Sequence, residues 1–212
     1  MPHIFLAVAF SYLLGAIPTA LMAGYLLGRV DIRTVGSGNA GATNLYRIFG
    51  LKPYLAVLAL DIGKGYVAAA LVSGFAYGEL DPLQAVIVCG LSAVVGHIFT
   101  VFARFKGGKG VATAAGMMLA IVPVPLLVAV GVYLAIVALT NYVSLGSIGA
   151  AVSVPLSLAV ASLVFRSETR VEIWVISVTL AVLILATHRS NIGRLLKGEE
   201  NKTYFFGKKG AG

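Results

Sequence analysis

Long apolar runs separated by short polar segments make up most of the chain. Residues 1–27 and 113–165 contain no charged side chain, and residues 80–103 contain one acidic residue near their start. About 20 residues of helix cross the hydrocarbon core of a bilayer. The pattern therefore predicts transmembrane helices at 4–27, 53–77, 83–101, 111–124, 126–140, 147–165 and 171–188.

The segment 111–124 is the shortest of these, and prolines at 123 and 125 interrupt the helix after it. Thirteen of the 16 Lys and Arg residues lie at 29–52, 104–109 and 189–209, which the positive-inside rule places in the cytoplasm. An even number of crossings must then separate 109 from 189, so 111–124 is predicted to cross. We expect an all-α polytopic transmembrane helix bundle of about seven helices.

This bundle is expected to form one membrane domain over residues 1–212, with its N-terminus outside and a cytoplasmic tail at 189–212. The first apolar run is long and lacks a basic start, so it is interpreted as a retained span. Hydrophobic residues are 59% of the chain and charged residues 11%, against about 25% charged residues in soluble domains. Most of the chain cannot face water.

The net charge of +8 is spread over short loops. This distribution fits membrane topology and small anionic ligands better than nucleic acid. A single cysteine excludes a disulfide framework within the chain. Acidic residues are nearly absent from the cytoplasmic segments, so neither a metal ion nor another cofactor is expected.

The segment VGSGNAGATN contains the Gly-x-Gly-x-x-Gly spacing of a dinucleotide-binding loop at residues 36–41. That spacing has its usual meaning only between a strand and a helix of a soluble βαβ unit. Here it follows a predicted membrane helix, and Asp61, which stands where the ribose-binding acid would be, falls inside the next span. A dinucleotide fold is excluded.

Four polar segments are predicted at the cytoplasmic surface: 36–47, 96–113, 140–147 and 188–200. In the second, glycines at 107, 108 and 110 allow backbone N–H groups to converge on an anion, and a helix starts directly after them. Lys106 and Lys109 supply charge there. The first segment offers neutral donors and Arg47, a guanidinium fork for an oxyanion. Together these loops predict phosphate binding.

Several ionisable residues lie in or at the ends of spans. Asp61 and Lys64 share one helical face, as a structural ion pair or as part of a cavity lining. His97 ends the third span and is as consistent with packing as with catalysis. His188 ends the seventh span and opens a polar cluster with Asn191, which favours a functional role.

Four motifs, GSGNAGATN, GHIFTVFARFKGGKGVAT, SLGS and HRSNIGRLLKGEE, occur in this order. Together they resemble the bacterial membrane family of acyl-phosphate-dependent glycerol-3-phosphate acyltransferases, over nearly the whole chain. The resemblance implies an inner-membrane enzyme with its active site on the cytoplasmic side. It would transfer a fatty acyl group from acyl phosphate to the sn-1 hydroxyl of glycerol 3-phosphate. Lysophosphatidic acid and phosphate would result, as the first step of phospholipid synthesis.

The family pattern implies that Ser37 and Arg47 are essential, that His188 and Asn191 serve activity, and that Glu199 has a structural role. It also implies that the glycines at 107, 108 and 110 belong to the glycerol-phosphate site. We expect Ser37, Arg47 and Lys106 to hold phosphate oxygens, while the proton of the attacking hydroxyl goes to a substrate phosphate or to His188. The residues expected to bind substrate or phosphate are Gly36, Gly38, Asn39, Gly41, Thr43, Asn44, Lys64, His97, Gly107, Gly108, Lys109, Gly110, Thr113, Asn141, Ser144, Gly146 and Ser147.

The expected partners are acyl phosphate, glycerol 3-phosphate and membrane lipid, with no nucleic acid and no obligatory protein partner. An organic-phosphate transporter is the main alternative, but no inverted repeat is evident and the polar residues gather at one surface. Other lipid enzymes, such as CDP-alcohol phosphotransferases and prenyltransferases, need aspartate-rich metal motifs that this chain lacks. A purely structural membrane protein would not need four polar loops at one surface.

Overall fold

The computed structural model describes residues 2–205, most of which are helical. The α-helices are α1 (Pro2–Ala16), α2 (Thr19–Gly28), α3 (Ala42–Phe49), α4 (Leu51–Ala70), α5 (Pro82–Ile98), α6 (Val111–Ile121), α7 (Pro123–Thr140), α8 (Val143–Phe165), α9 (Val171–Thr187) and α10 (Arg189–Leu196). Short 3-10 helices cover Ile32–Thr34, Val72–Ala76 and Val101–Ala103. No β-strand occurs within 2–205, which confirms the all-α class; residues 206–212 of the predicted tail lie outside the described residues.

Five described segments are long and apolar enough to cross a membrane: His3–Gly28, Leu51–Ala76, Pro82–Ala103, Pro123–Thr140 and Val143–Phe165. A sixth would be α9 with α10, which meet at a bend of 62°. The predicted transmembrane helix bundle is thus confirmed for these five or six segments. In contrast, α6 is about 16 Å long, roughly half the hydrocarbon thickness, so its length alone does not establish a crossing.

The chain divides into two compact units, Met1–Pro123 and Val124–Gly212. In the first unit, α1 packs on α5, and α4 packs on α5 and α6. Glycines allow these helices to touch through their backbones: a Cβ built on Gly116 would lie 1.9 Å from the Ile62 carbonyl oxygen. Gly116 therefore lets α4 and α6 approach closely, as small residues do between membrane helices.

The chain is not helical at Ile17 and Pro18, between α1 and α2. Proline has no N–H to donate, and the carbonyl groups near the break accept hydrogen bonds from side chains of other helices. Ala16 accepts from the Thr100 hydroxyl, and Ile17 accepts from the Lys64 ammonium at 3.1 Å. The break is thus fixed by polar contacts with α4 and with the end of α5.

A hydrophobic cluster of the first unit lies beneath the two segments predicted to bind anions. It contains Leu21 of α2, Ile32, Leu45 of α3, Val57 of α4 and Ala103. Ile32 and Leu45 are fully buried. Because Ile32 precedes the first glycine segment and Ala103 precedes the second, this cluster holds both segments on one core.

In the second unit, α8 packs on α9. A Cβ built on Gly146 would lie 2.7 Å from Val137 of α7, so these helices are close at that point. The predicted polar loop at 140–147 is largely helix, since α8 begins at Val143, four residues before the predicted span. The Ser147 hydroxyl donates to the Val143 carbonyl within the helix, which makes a polar residue compatible with this turn.

Candidate active site

The first glycine segment is folded around the side chain of Asn44, which is 1% exposed. The Asn44 amide nitrogen donates to the carbonyl oxygens of Ile32 at 2.6 Å and Val35 at 3.0 Å. Its amide oxygen accepts from the backbone N–H of Ser37 at 2.8 Å. All its hydrogen-bonding groups are used inside the protein, so Asn44 shapes the segment that carries Ser37 and does not face a ligand.

Glycine is required at position 36 for two reasons. Its φ of +63° lies in the left-handed region, and a Cβ there would lie 2.3 Å from the Asn44 amide oxygen. Gly38 is also left-handed, with φ +71°. The segment therefore closes tightly over Asn44 and leads into α3, whose last turn carries the half-buried Arg47.

Asp31 and Arg33 connect the first segment to the second. Arg33 donates Nε and Nη2 to the Asp31 carboxylate at 2.7–3.2 Å, and its Nη1 donates to the Ala103 carbonyl at 3.1 Å. The hydrogen bonds from Arg33 hold the pKa of Asp31 at about 2. Both residues lie beyond the predicted first span, and neither was singled out from the sequence. The sequence did offer a signal for this pair: two opposite charges lie two residues apart shortly before the glycines.

The second glycine segment folds back onto the last turn of α5. The N–H of Gly107 donates to the Ile98 carbonyl at 3.0 Å, and the N–H of Gly108 donates to the His97 carbonyl at 3.2 Å. We expected these N–H groups to converge on an anion. Instead they anchor the segment to α5, because the carbonyl groups at a helix C-terminus lack partners within their own helix.

The N-terminus of α6 follows directly. Gly110 takes φ +85° as the residue before the helix, and the first N–H groups of α6 have no partner inside the helix. Thr113 lies in this first turn, completely buried, and no residue within 2–205 gives its hydroxyl a hydrogen-bond partner. Lys106 is exposed and Lys109 is half-buried. The helix end and these two lysines give this region a positive potential.

A buried polar cluster lies next to this segment. Asp61 is 2% exposed, and its Oδ1 accepts from the Thr19 hydroxyl at 2.6 Å and lies 2.9 Å from Lys64 Nζ. His97 Nδ1 lies 3.7 Å from the same oxygen. The expected ion pair of Asp61 and Lys64 is therefore present, and His97 and Thr19 join it. Thr19 was not predicted, although a hydroxyl directly after a helix-breaking proline was a usable signal.

An apolar groove of about 770 Å³ runs between α2 and α4. Ile17, Leu26, Leu60 and Val67 are among the side chains that line it, and the two lysines at its walls are Lys52 and Lys64. The lining spans α4 from position 52 to position 67, which is roughly 22 Å at 1.5 Å per residue. No pattern in the sequence indicated the position of this groove.

In the second unit, the carboxylate of Glu200 connects α8 and α10. Oε1 accepts from the Ser144 hydroxyl at 3.0 Å and from the Asn191 amide at 2.7 Å, while Oε2 accepts from Arg194 Nε at 2.8 Å. Glu200 is buried, whereas Glu199 is exposed. The structural role expected at Glu199 therefore falls one residue later.

Asn141 ends α7 with φ +60°, a conformation that asparagine tolerates, and its carbonyl accepts from the Thr203 N–H at 2.8 Å. His188 occupies the bend between α9 and α10 and is 2% exposed. Its Nδ1 lies 2.8 Å from the Ile184 carbonyl oxygen. Because a carbonyl only accepts, Nδ1 carries a proton in this contact, and in the neutral ring Nε2 then holds the lone pair.

Each unit thus collects part of the predicted set. The first holds Ser37, Arg47 and the segment from Lys106 to Gly110 on one core, whereas Asn44 and His97 are turned into the protein interior. The second joins Ser144 and Asn191 through Glu200. Asn39 and Thr43 are half-buried in the first segment, as is Gly41. No group of three His, Cys, Asp or Glu side chains able to hold a metal ion occurs among residues 2–205.

Residues 5–198 match the family model described as glycerol-3-phosphate acyltransferase. The chain belongs to the glycerol-3-phosphate acyltransferase family. Proteins of that name from Chlorobium luteolum and Chlorobaculum tepidum are 42% and 43% identical to it; the alignments cover 93% and 95% of this chain, and 95% and 97% of theirs. The resemblance predicted from the four motifs is confirmed, and an acyltransferase is favoured over a transporter.

Two solved structures of PlsY, an integral membrane glycerol 3-phosphate acyltransferase, have the same fold. The glycerol 3-phosphate form is 40% identical, with a TM-score of 0.84 over 94% of this chain and 95% of that chain. The lysophosphatidic acid form is 39% identical, with a TM-score of 0.81 over 94% of each chain. The likeness therefore extends over both units of this family member.

Proposed function

We propose that this protein transfers a fatty acyl group from acyl phosphate to the sn-1 hydroxyl of glycerol 3-phosphate, releasing lysophosphatidic acid and inorganic phosphate. The observation that carries the proposal is the full-length likeness to a protein solved in a glycerol 3-phosphate form and a lysophosphatidic acid form. Those two molecules differ by one fatty acyl group. The chain also carries the family's four motifs in order.

Acyl phosphate is the donor because it carries both an anionic group and an apolar chain, and it is already activated as a mixed anhydride. The groove between α2 and α4 suits the chain: its walls are apolar, and its length of roughly 22 Å is comparable with an extended fatty acyl group. Each methylene buried there contributes about 0.8 kcal/mol. Lys52 at the rim provides a cation near the surface.

In the first unit, Ser37, Arg47 and Lys106 hold phosphate oxygens. Arg47 is half-buried on α3, so its charge is less screened than that of a fully exposed side chain. The N-terminus of α6 adds N–H groups and the positive end of its dipole. With Gly107 and Gly108 anchored to α5, this helix end takes over the anion-binding role expected of their N–H groups.

In the reaction, the sn-1 oxygen attacks the acyl carbonyl carbon, a new C–O ester bond forms, and the bond from carbon to the phosphate oxygen breaks. The electron pair leaves with phosphate. The hydroxyl proton passes to a phosphate oxygen or to Nε2 of His188, which holds the lone pair in the neutral ring. No covalent enzyme intermediate is needed, because the leaving group is good and binding supplies the orientation.

The protein is proposed to lie in the bacterial inner membrane with seven crossings, the N-terminus outside and the reacting groups on the cytoplasmic side. The short α6 is compatible with a crossing. Gly110 lies against Ile98 and Val94 in the last turns of α5, and Met117 of α6 contacts Gly90, so α6 starts beside the end of α5 and runs back along it.

Phosphate release from palmitoyl phosphate by the detergent-purified protein tests this function. Wild type should release phosphate only when glycerol 3-phosphate is present, and Ser37→Ala should lose this release while unfolding at the wild-type temperature. His188→Gln places a neutral amide at the position of Nε2 and has no basic nitrogen, so its turnover identifies the proton acceptor. Abolished turnover with glycerol 3-phosphate binding intact assigns the base to His188, and retained turnover assigns it to phosphate. No release by folded wild type would overturn the acyltransfer proposal.

A further inference from the structure

Gly108 rests on the imidazole ring of His97. A Cβ built on Gly108 would lie 2.2 Å from His97 Nε2 and 3.1–3.2 Å from the adjoining ring carbons. No real Cβ approaches another atom so closely, so a side chain at position 108 requires the ring to move. The glycine at this position is explained by a neighbouring side chain of the protein, without reference to a ligand.

Gly107 has a different neighbour. A Cβ there would lie 2.0 Å from the backbone oxygen of His97 and 2.8 Å from that of Ile98. These oxygens belong to the last turn of α5 and accept the N–H groups of Gly108 and Gly107. No change of the His97 side chain can relieve this crowding. The two adjacent glycines therefore differ in what excludes a methyl group.

The His97 ring cannot easily give way. On one side its Nδ1 lies 3.7 Å from Asp61 Oδ1, which is beyond hydrogen-bond distance. That oxygen is itself fixed by the Thr19 hydroxyl at 2.6 Å and by Lys64 at 2.9 Å. Lys64 also donates to the Ile17 carbonyl at the helix break. His97 is 9% exposed, so the ring lies between this cluster and the glycine segment with little open space.

We propose that His97 is a positioning residue for glycerol 3-phosphate. Its ring lies between Asp61 and Gly108 and, by its contact with Gly108, sets the position of the segment from Lys106 to Gly110 and of the N-terminus of α6. The inference rests on the proposed function in one respect, the assignment of this segment to the glycerol 3-phosphate site. It assigns His97 no contact with the substrate.

The two ring nitrogens of His97, Nδ1 and Nε2, can be replaced separately. In a His97→Asn variant the side-chain amide reaches the position of Nδ1, so a polar contact with Asp61 is kept and the atom beneath Gly108 is removed. In a His97→Gln variant the amide reaches the position of Nε2 and remains beneath Gly108. The pair is a matched test, because both replacements are neutral amides.

The experiment measures KM for glycerol 3-phosphate, KM for palmitoyl phosphate and kcat in detergent. Gly108→Ala should raise KM for glycerol 3-phosphate by about tenfold or more, with a smaller effect on kcat. Adding His97→Asn should lower that KM again by about threefold to thirtyfold, the coupling typical of residues in contact. Adding His97→Gln should not lower it. Gly107→Ala with His97→Asn should stay as impaired as Gly107→Ala alone, because its obstacle is backbone.

The outcomes separate the inference from the function beneath it. If Gly108→Ala raises KM for glycerol 3-phosphate and adding His97→Asn does not reduce it, the His97 ring does not position the segment from Lys106 to Gly110, and the inference is overturned. If Gly108→Ala leaves this KM unchanged, the assignment of the segment to glycerol 3-phosphate fails first. Unfolding temperatures identify a variant that does not fold. In that case, isothermal titration of glycerol 3-phosphate to the single variants His97→Asn and His97→Gln decides. Binding should be weaker for His97→Asn, which lacks the atom beneath Gly108, than for His97→Gln. Equal binding by the two variants would overturn the inference.

Discussion

The side-chain oxygen of Asn44 accepts a hydrogen bond of 2.8 Å from the backbone N–H of Ser37. Asn44 follows Ser37 by seven positions, and Gly38 and Gly41 of the first motif lie between them. Asn44 also donates to the carbonyls of Ile32 and Val35, so one buried amide holds both ends of the segment. The position of Ser37 in the proposed phosphate site therefore depends on a residue that does not face the ligand.

Asn44→Ala should reduce both stability and turnover, because it leaves two carbonyl groups and one N–H without partners in a buried place. Each unsatisfied group costs about 1–3 kcal/mol. Asn44→Asp should be worse, since a carboxylate presents oxygen to the Ile32 and Val35 carbonyls where the amide presented N–H. Unfolding temperature and kcat in detergent check this order. Wild-type turnover by Asn44→Asp would contradict the role of the amide donors.

Gly36→Ala should lower kcat by more than tenfold, because the new methyl group meets the Asn44 amide oxygen and the residue must keep φ near +63°. Left-handed backbone costs a non-glycine residue about 1–2 kcal/mol even without a clash. Gly131→Ala is the control. Position 131 lies in the middle of α7 on its exposed side, with nothing within 4 Å of the added carbon. The control should keep full activity and gain up to about 1 kcal/mol in stability.

The sequence was sufficient for the class of fold and for the family. Apolar runs of helix length are a direct signal, and five of them are present as long apolar helices. The start of α8 was placed four residues late because Ser144 and Ser147 suggested a loop. In the structure the Ser147 hydroxyl donates to the Val143 carbonyl one turn earlier, so this polar side chain is accommodated within the helix. Such local compensation is not visible in a hydropathy pattern.

The glycine segments were recognised as such, but the direction of their N–H groups was not predictable. Gly107 and Gly108 donate to α5, which depends on how the chain returns after Ala103. Similarly, Glu199 and Glu200 are adjacent acids beyond α10, and no periodicity distinguishes them. Burial against Ser144 and Asn191 selects Glu200. Both errors concern tertiary contacts between segments distant in sequence.

Glu200→Gln should destabilise the second unit by about 2–4 kcal/mol, because the carboxylate receives three hydrogen bonds and pairs with Arg194. A glutamine amide has only one acceptor oxygen. Its N–H groups would therefore face either the Ser144 and Asn191 donors or the Arg194 donor. Glu199→Gln is the matched control, since that side chain is exposed. Thermal unfolding of both variants in the same detergent gives the comparison. Equal unfolding temperatures would show that the carboxylate of Glu200 is not a structural hub.

Gly63→Leu should narrow the apolar groove, since a side chain at this position of α4 meets open space and the residue lines the groove. If the fatty acyl chain lies there, kcat/KM for palmitoyl phosphate should fall about tenfold or more, while a short-chain acyl phosphate should be affected much less. Gly131→Leu, on an exposed face of α7, should change neither value. An equal loss for long and short donors would mean that the chain lies elsewhere.

The ion pair of Asp31 and Arg33 gives a defined acid dependence. Hydrogen bonding to Arg33 lowers the pKa of Asp31 from 3.8 to about 2, so the folded state favours the ionised carboxylate. The resulting stability is fully present above pH 4 and is lost as the pH falls from about 4 to about 2. Asp31→Asn lacks this contribution throughout. The difference in unfolding free energy between wild type and Asp31→Asn should therefore be constant at pH 7 and 5 and shrink at pH 3 and 2. A difference that persists at pH 2 would assign it to packing instead of charge.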